Sequence, residues 1–167
     1  MPPSAQQPDY ITILRTLARH EADFIVIGGV CALLHGAPLM TLDVDIVHSR
    51  SPENLARLLA ALQELGAYYR GQGNRRITPT LSYLASPGHQ LLMTTAGSFD
   101  ALGTVTGDRG YEELLPHTEE IWLEVDLKVR ILDLPTLIRL KEEVGRDKDK
   151  AVLPILRQTL AEKNKDG

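Results

Sequence analysis

Hydrophobic positions recur in two rhythms along the chain and divide it into short elements. Ile11, Leu14, Leu17 and Ala18 fall at helical spacing behind Asp9, a residue suited to capping, and predict an amphipathic first helix. Phe24-Ile25-Val26-Ile27 is a solid β-forming run, apolar on both sides, as in a strand buried between layers. Gly28-Gly29 ends it, and Val30 to Leu34 is helix-compatible up to His35-Gly36-Ala37-Pro38. Leu42 to Val47 predicts a second strand. Ser51 and Pro52, followed by Leu55, Leu58, Leu59, Leu62 and Leu65 along one face, spell a capped helix closed by Gly66.

From Tyr68 to about Val105 the pattern breaks into short β-like runs: Tyr68-Tyr69, Ile77 to Tyr83, Gln90 to Thr94 and Phe99 to Leu102, with the polar loop Gly71 to Arg76 among them. Tyr111 to Leu115 predicts a helical turn. Glu119 to Val125 and Leu127 to Leu132 predict a hairpin. Two helices close the chain, Leu134 to Val144 between Asp133 and Gly145, and one carrying Leu153, Leu156 and Leu160 with Asp147 as its cap. Strands and helices interleave without the strict alternation of a doubly wound fold. The expected class is therefore α+β, a mixed β-sheet flanked by helices, in a single domain over residues 1–167. Residues 1–8 and 163–167 read as flexible ends.

Composition narrows the function classes. The chain has 167 residues, 43% apolar and 24% charged, with a net charge of −4, and this size suits one domain with a sizeable core. Aromatics are 5%, so that core is built from Leu, Ile, Val and Ala. The mild acidity argues against non-specific binding to nucleic acid, which draws on many Lys and Arg neutralising phosphates. The single cysteine, Cys31, excludes an internal disulfide and a thiolate zinc site, and suits a reducing cytoplasm. The N-terminus lacks the basic start and apolar stretch of a signal peptide. The longest apolar run, Phe24 to Leu34, is too short for the roughly 30 Å of bilayer hydrocarbon. A cytoplasmic protein without membrane attachment is expected.

Asp43 and Asp45 are the leading chemical candidates. On a strand, side chains alternate, which would put both acids on one face and Leu42, Val44 and Ile46 on the other. Paired carboxylates resist burial unless a cation neutralises them, and as hard oxygen donors they suit Mg²⁺. Asp-x-Asp alone favours a solvated edge strand. Upstream, a strand ending in Gly28-Gly29 and opening into a helix presents bare backbone N–H groups that favour a phosphate, although a tight turn would use the same pair. Together they form the two halves of a nucleoside triphosphate site.

The order Ile27-Gly28-Gly29-Val30-Cys31-Ala32-Leu33-Leu34-His35-Gly36-Ala37-Pro38, then Thr41-Leu42-Asp43-Val44-Asp45-Ile46, resembles the signature of minimal nucleotidyltransferases of the DNA polymerase beta superfamily, including the AbiEii-like abortive-infection toxins. Thr94 to Gly103 resembles the strand carrying that family's third carboxylate, here Asp100, and Leu137 to Lys141 with Gly145 to Asp149 resemble its closing helix motif. The resemblance implies that Asp43, Asp45 and Asp100 are catalytic and bind Mg²⁺ or Mn²⁺, and that Gly28, Gly29, Lys141 and Lys148 contact the NTP. It implies transfer of NMP from the NTP to a hydroxyl of an RNA, protein or small molecule, and a toxin-like role opposite an antitoxin partner. Two positions depart from the pattern: Val30 stands where many active relatives have a serine, and Leu39 where the family often has arginine. They favour the alternative of a catalytically degenerate nucleotide-binding or protein-interaction module. Arg146 and Asp149 could organise the site through salt bridges or form a solvated helix start, and Arg75 and Arg76 could grip phosphate, although loop arginines without a partner are more often just solvated. His35, His48 and Cys31 read as structural.

Overall fold

In a computed structural model describing residues 7–166, the pattern resolves into seven strands in one sheet and seven α-helices. In chain order these are α1 (Tyr10–Arg19), β1 (Phe24–Ile27), α2 (Gly28–Leu34), β2 (Val44–His48), α3 (Pro52–Glu64), β3 (Tyr68–Tyr69) and α4 (Leu81–Leu84). They continue with β4 (His89–Thr94), β5 (Gly97–Leu102), α5 (Tyr111–Leu114), β6 (Thr118–Glu124), β7 (Leu127–Leu132), α6 (Leu134–Val144) and α7 (Asp147–Asp166). Met1–Gln6 and Gly167, part of the ends expected to be flexible, lie outside the described residues.

Three of the proposed capping residues act where the sequence places them. Asp9, Ser51 and Asp133 accept the N–H groups of Thr12, Asn54 and Thr136 at 3.1, 3.3 and 2.8 Å. Gly145 ends α6 in the left-handed conformation, φ +65°.

The sheet order is β3-β4-β5-β2-β1-β7-β6. β1 pairs antiparallel with β2 and parallel with β7, and β2 pairs parallel with β5, so the sheet is mixed, as expected. All four residues of β1 are buried. In β4 and β5, Gln90, Leu92, Thr94, Phe99 and Ala101 are buried, whereas the alternate residues His89, Leu91, Asp100 and Leu102 line an open cleft bounded by α2, α6 and α7. One face of these strands thus completes the core and the other presents chemistry.

Three expectations change. Ile77 to Tyr83 is not a strand: Pro79 has no N–H for a ladder, and Thr80 instead caps α4 by accepting the Tyr83 N–H at 3.2 Å. The second strand begins at Val44, not Leu42. Asp147 is the first residue of α7 and not its cap; Asp149 reaches back to accept the Arg146 N–H at 3.2 Å. Near the ends, Pro8 is buried, and Lys163 lies in α7 with its Nζ 2.7 Å from His35 Nδ1. No helix among the described residues is long and apolar enough to cross a membrane.

Candidate active site

The cleft has a volume of about 710 Å³ and gathers residues from both halves of the chain. Asp43, Asp45 and Asp100 line it, as do Gly28, Gly29, Lys141, Lys148, Arg146 and Asp149. The pairing of β2 with β5 sets Asp45 directly beside Asp100. Asp43 lies just before β2, so strand alternation does not place it; the Thr41 hydroxyl donates to the Asp43 carbonyl at 2.8 Å and the Ser98 hydroxyl to Asp43 Oδ1 at 2.5 Å. Leu42, expected on the strand face opposite the acids, is exposed and lines the same cleft as they do, because it precedes the strand.

Asp45 is largely enclosed. Burial, and then the neighbouring Asp100 charge, push its pKa up from 3.8 to about 7, with Lys141 acting weakly the other way. Such a carboxylate pair calls for a cation. Gly28 makes its close packing feasible: its φ is +69°, and a Cβ there would fall 2.3 Å from Asp45 Oδ2. At Gly29 a Cβ would fall 2.7 Å from Thr41 Oγ1. Within the chain, then, the missing side chains accommodate Asp45 and Thr41.

Also lining the cleft, from α7, Asp149 is 1% exposed and binds two cations, Arg146 Nε at 2.7 Å and Lys141 Nζ at 3.3 Å. Burial raises its pKa, but these hydrogen bonds outweigh it and hold the carboxyl below its ordinary value. Asp149 thereby fixes two positive groups in the cleft that the acids line.

Arg70 escaped the sequence reading. Its Nη1 donates to Asp100 Oδ1 at 2.8 Å, to Ser98 Oγ at 2.6 Å and to the Leu92 carbonyl at 2.6 Å. No spacing marks it, since thirty residues separate it from Asp100; the pairing of β3 with β4 carries it there. Arg75 and Arg76 do not line the cleft, and Arg76 lies 4.0 Å over the Tyr68 ring. His35 Nε2 and Cys31 Sγ both bond the Leu132 carbonyl, at 2.8 and 3.2 Å, anchoring α2 to β7. His48 Nε2 bonds the Leu84 carbonyl. Val30 is fully buried, and neither it nor Leu39 lines the cleft.

By donor type the site fits a hard divalent cation: Asp45 and Asp100 are adjacent carboxylates, and Asp43 is linked to Asp100 through Ser98 and Arg70. Among the described residues, however, no three Asp, Glu, His or Cys side chains converge on one point where an ion could sit. Two of the three acids are already engaged by Ser98 and Arg70.

No protein-family model matches the chain, and no curated protein is detectably similar in sequence. Among solved structures, the crystal structure of a provisionally named nucleotidyltransferase (TM1012) from Thermotoga maritima is similar, with a TM-score of 0.55 at 16% identity over 92% of this chain and 94% of that one. The fold is nucleotidyltransferase-like. At that identity the likeness speaks for the fold alone.

Proposed function

We propose that the chain is a metal-dependent nucleotidyltransferase that moves NMP from an NTP to a hydroxyl acceptor. The observation that carries this reading is the cleft itself: Asp43, Asp45 and Asp100, on or beside strands β2 and β5, line it together with Lys141, Arg146 and Lys148 of the α6–α7 segment, on a fold similar to that of TM1012. Asp43, Asp45 and Asp100 would hold Mg²⁺ or Mn²⁺, which when bound neutralises charge on the phosphates. Lys141 and Arg146, steadied by Asp149, and Lys148 bind the triphosphate tail. Gly28 and Gly29 keep the wall beside Asp45 free of side chains. Asp100 accepts the proton of the acceptor hydroxyl as its oxygen bonds to the α-phosphorus; the bond from that phosphorus to the bridging oxygen breaks, and pyrophosphate leaves.

The acceptor would be an RNA, a protein or a small molecule, and a toxin-like role opposite an antitoxin rests on the sequence resemblance. The test is transfer of label from α-phosphate-labelled NTPs to cell-extract RNA and protein in Mg²⁺, comparing wild type with Asp45→Asn. Label incorporated by wild type and lost in the variant supports the reading; incorporation that survives the substitution, or no NTP binding by wild type, overturns it. The degenerate-module alternative draws on the acids not converging, and NTP binding without transfer would favour it.

A further inference from the structure

We infer that Arg70 is a built-in counter-ion of the carboxylate cluster, which a divalent cation must displace in order to bind; this rests on the metal-dependent reading above. The acids line one wall, yet two of the three are held by the protein's own donors. Arg70 Nη1 lies 2.8 Å from Asp100 Oδ1 and 2.6 Å from Ser98 Oγ, and Ser98 Oγ donates to Asp43 Oδ1 at 2.5 Å. A single network therefore runs from Asp43 through Ser98 and Arg70 to Asp100. It takes one oxygen from each of the two acids that flank Asp45.

The network is also over-subscribed. Nη1 carries two hydrogens but meets three acceptors, the third being the Leu92 carbonyl at 2.6 Å, so two of the contacts share one hydrogen. Arg70 can give up Asp100 and keep the Leu92 carbonyl. It also has somewhere to go: its side chain is 28% exposed, and the following Gly71 has φ +79° with no atom within 4 Å of where a Cβ would stand. A guanidinium on a carboxylate that is only 14% exposed is a charge-assisted bond in a partly dried site, strong enough to compete with an incoming ion.

A purely structural Arg70 would use the same contacts to tie β3 to β4 and β5, so the test must read something that tying does not move. Mn²⁺ binding at pH 8, measured from the paramagnetic resonance of the free ion, does so for wild type, Arg70→Met, Arg70→Lys and Ser98→Ala. Arg70→Met should bind Mn²⁺ about tenfold more tightly, the scale of one charge-assisted hydrogen bond removed from competition. Arg70→Lys, which keeps the charge, should stay within about threefold of wild type on the same scale. Ser98→Ala frees Asp43 while leaving the backbone and the Arg70–Asp100 pair in place; it should fall between the two, and it keeps the test available if Arg70→Met does not fold. Wild-type binding with both Arg70→Met and Ser98→Ala no tighter overturns the counter-ion role alone. No Mn²⁺ binding by any of the four overturns it together with the metal-dependent reading.

Discussion

Replacing Gly28 with alanine is expected to damage stability and the candidate site together. Gly28 opens α2 with φ +69°, and a Cβ there would stand 2.3 Å from Asp45 Oδ2 and 3.1 Å from Asp45 Cβ and Cγ. The left-handed conformation costs a residue with a side chain about 1–2 kcal/mol. Forcing an enclosed neighbour out of position typically adds about 1–3 kcal/mol. The sum, roughly 2–5 kcal/mol, corresponds to a Tm lower by about 5–15 °C for a chain of this length. Gly145 supplies the control. It has φ +65°, but the nearest atom to its virtual Cβ is the Glu142 carbonyl oxygen at 3.5 Å, an ordinary contact, so Gly145→Ala incurs only the backbone part. Urea unfolding followed by circular dichroism, with unchanged m, measures both variants, and Mn²⁺ titration reads the site. Gly28→Ala should be less stable than Gly145→Ala by at least about 1 kcal/mol and should bind Mn²⁺ more weakly. Equal stability of the two variants would refute the idea that the approach of α2 to Asp45 is what demands glycine.

Two carboxylates should impose opposite pH dependences. Asp45, raised to about 7 by burial and then by Asp100, binds more protons folded than unfolded, so its contribution to stability is complete below its ordinary 3.8 and is lost as pH rises towards 7. In metal-free buffer Asp45→Asn should therefore melt above wild type at pH 8, with the gap closing towards pH 4; a lower melting point at pH 8 contradicts the enclosure of this group. Asp149 is held below 3.8 because its bonds to Arg146 and Lys141 outweigh burial, so its contribution is present above that value and lost as pH falls through the lowered one. Asp149→Asn should lose about 1–3 kcal/mol at neutral pH in urea unfolding and show a flatter acid limb than wild type; an unchanged acid limb contradicts the clamp.

Elements with a local signature were legible. The amphipathic helices α1, α3 and α6 carry their caps within three residues of their first turns, and the caps make the expected bonds. The β6–β7 hairpin and the fully buried β1 follow from residue type alone. What failed was decided by exceptions to local preference. Ile77 to Tyr83 is β-forming in composition, yet Pro79 cannot donate to a ladder and Thr80 offers a helix cap, so the segment leaves the sheet and Tyr83 packs edge-on against Tyr69 with ring centroids 5.8 Å apart. The early start assigned to β2 had a similar origin: alternation of Leu42, Val44 and Ile46 with acids mimics a strand from its first residue, but Thr41 bonds the Asp43 carbonyl and holds the chain in a bend until Val44.

Asp43 and Asp45 stand out in the sequence because their residue type is conspicuous against an apolar background, and Asp100 through the family resemblance, whereas the partners that set their state do not stand out. Asp45 and Asp100 are 55 residues apart and meet only because β2 and β5 are parallel neighbours, a pairing that no turn between them encodes. Arg70 is harder still, since it reads as one more loop arginine beside Arg75 and Arg76 until the antiparallel pairing of β3 with β4 brings it under Ser98 and Asp100. The same logic separates Lys141 from Asp149. A lysine bordering an apolar helix face could be placed from its spacing, but the acid that steadies it lies on the next helix and is nearly inaccessible. Charges whose partners lie on other elements thus take their meaning from topology. The electrostatic state of this cleft, with Asp45 short of a cation and Asp100 already holding one, is therefore a property of the sheet order more than of any motif in the chain.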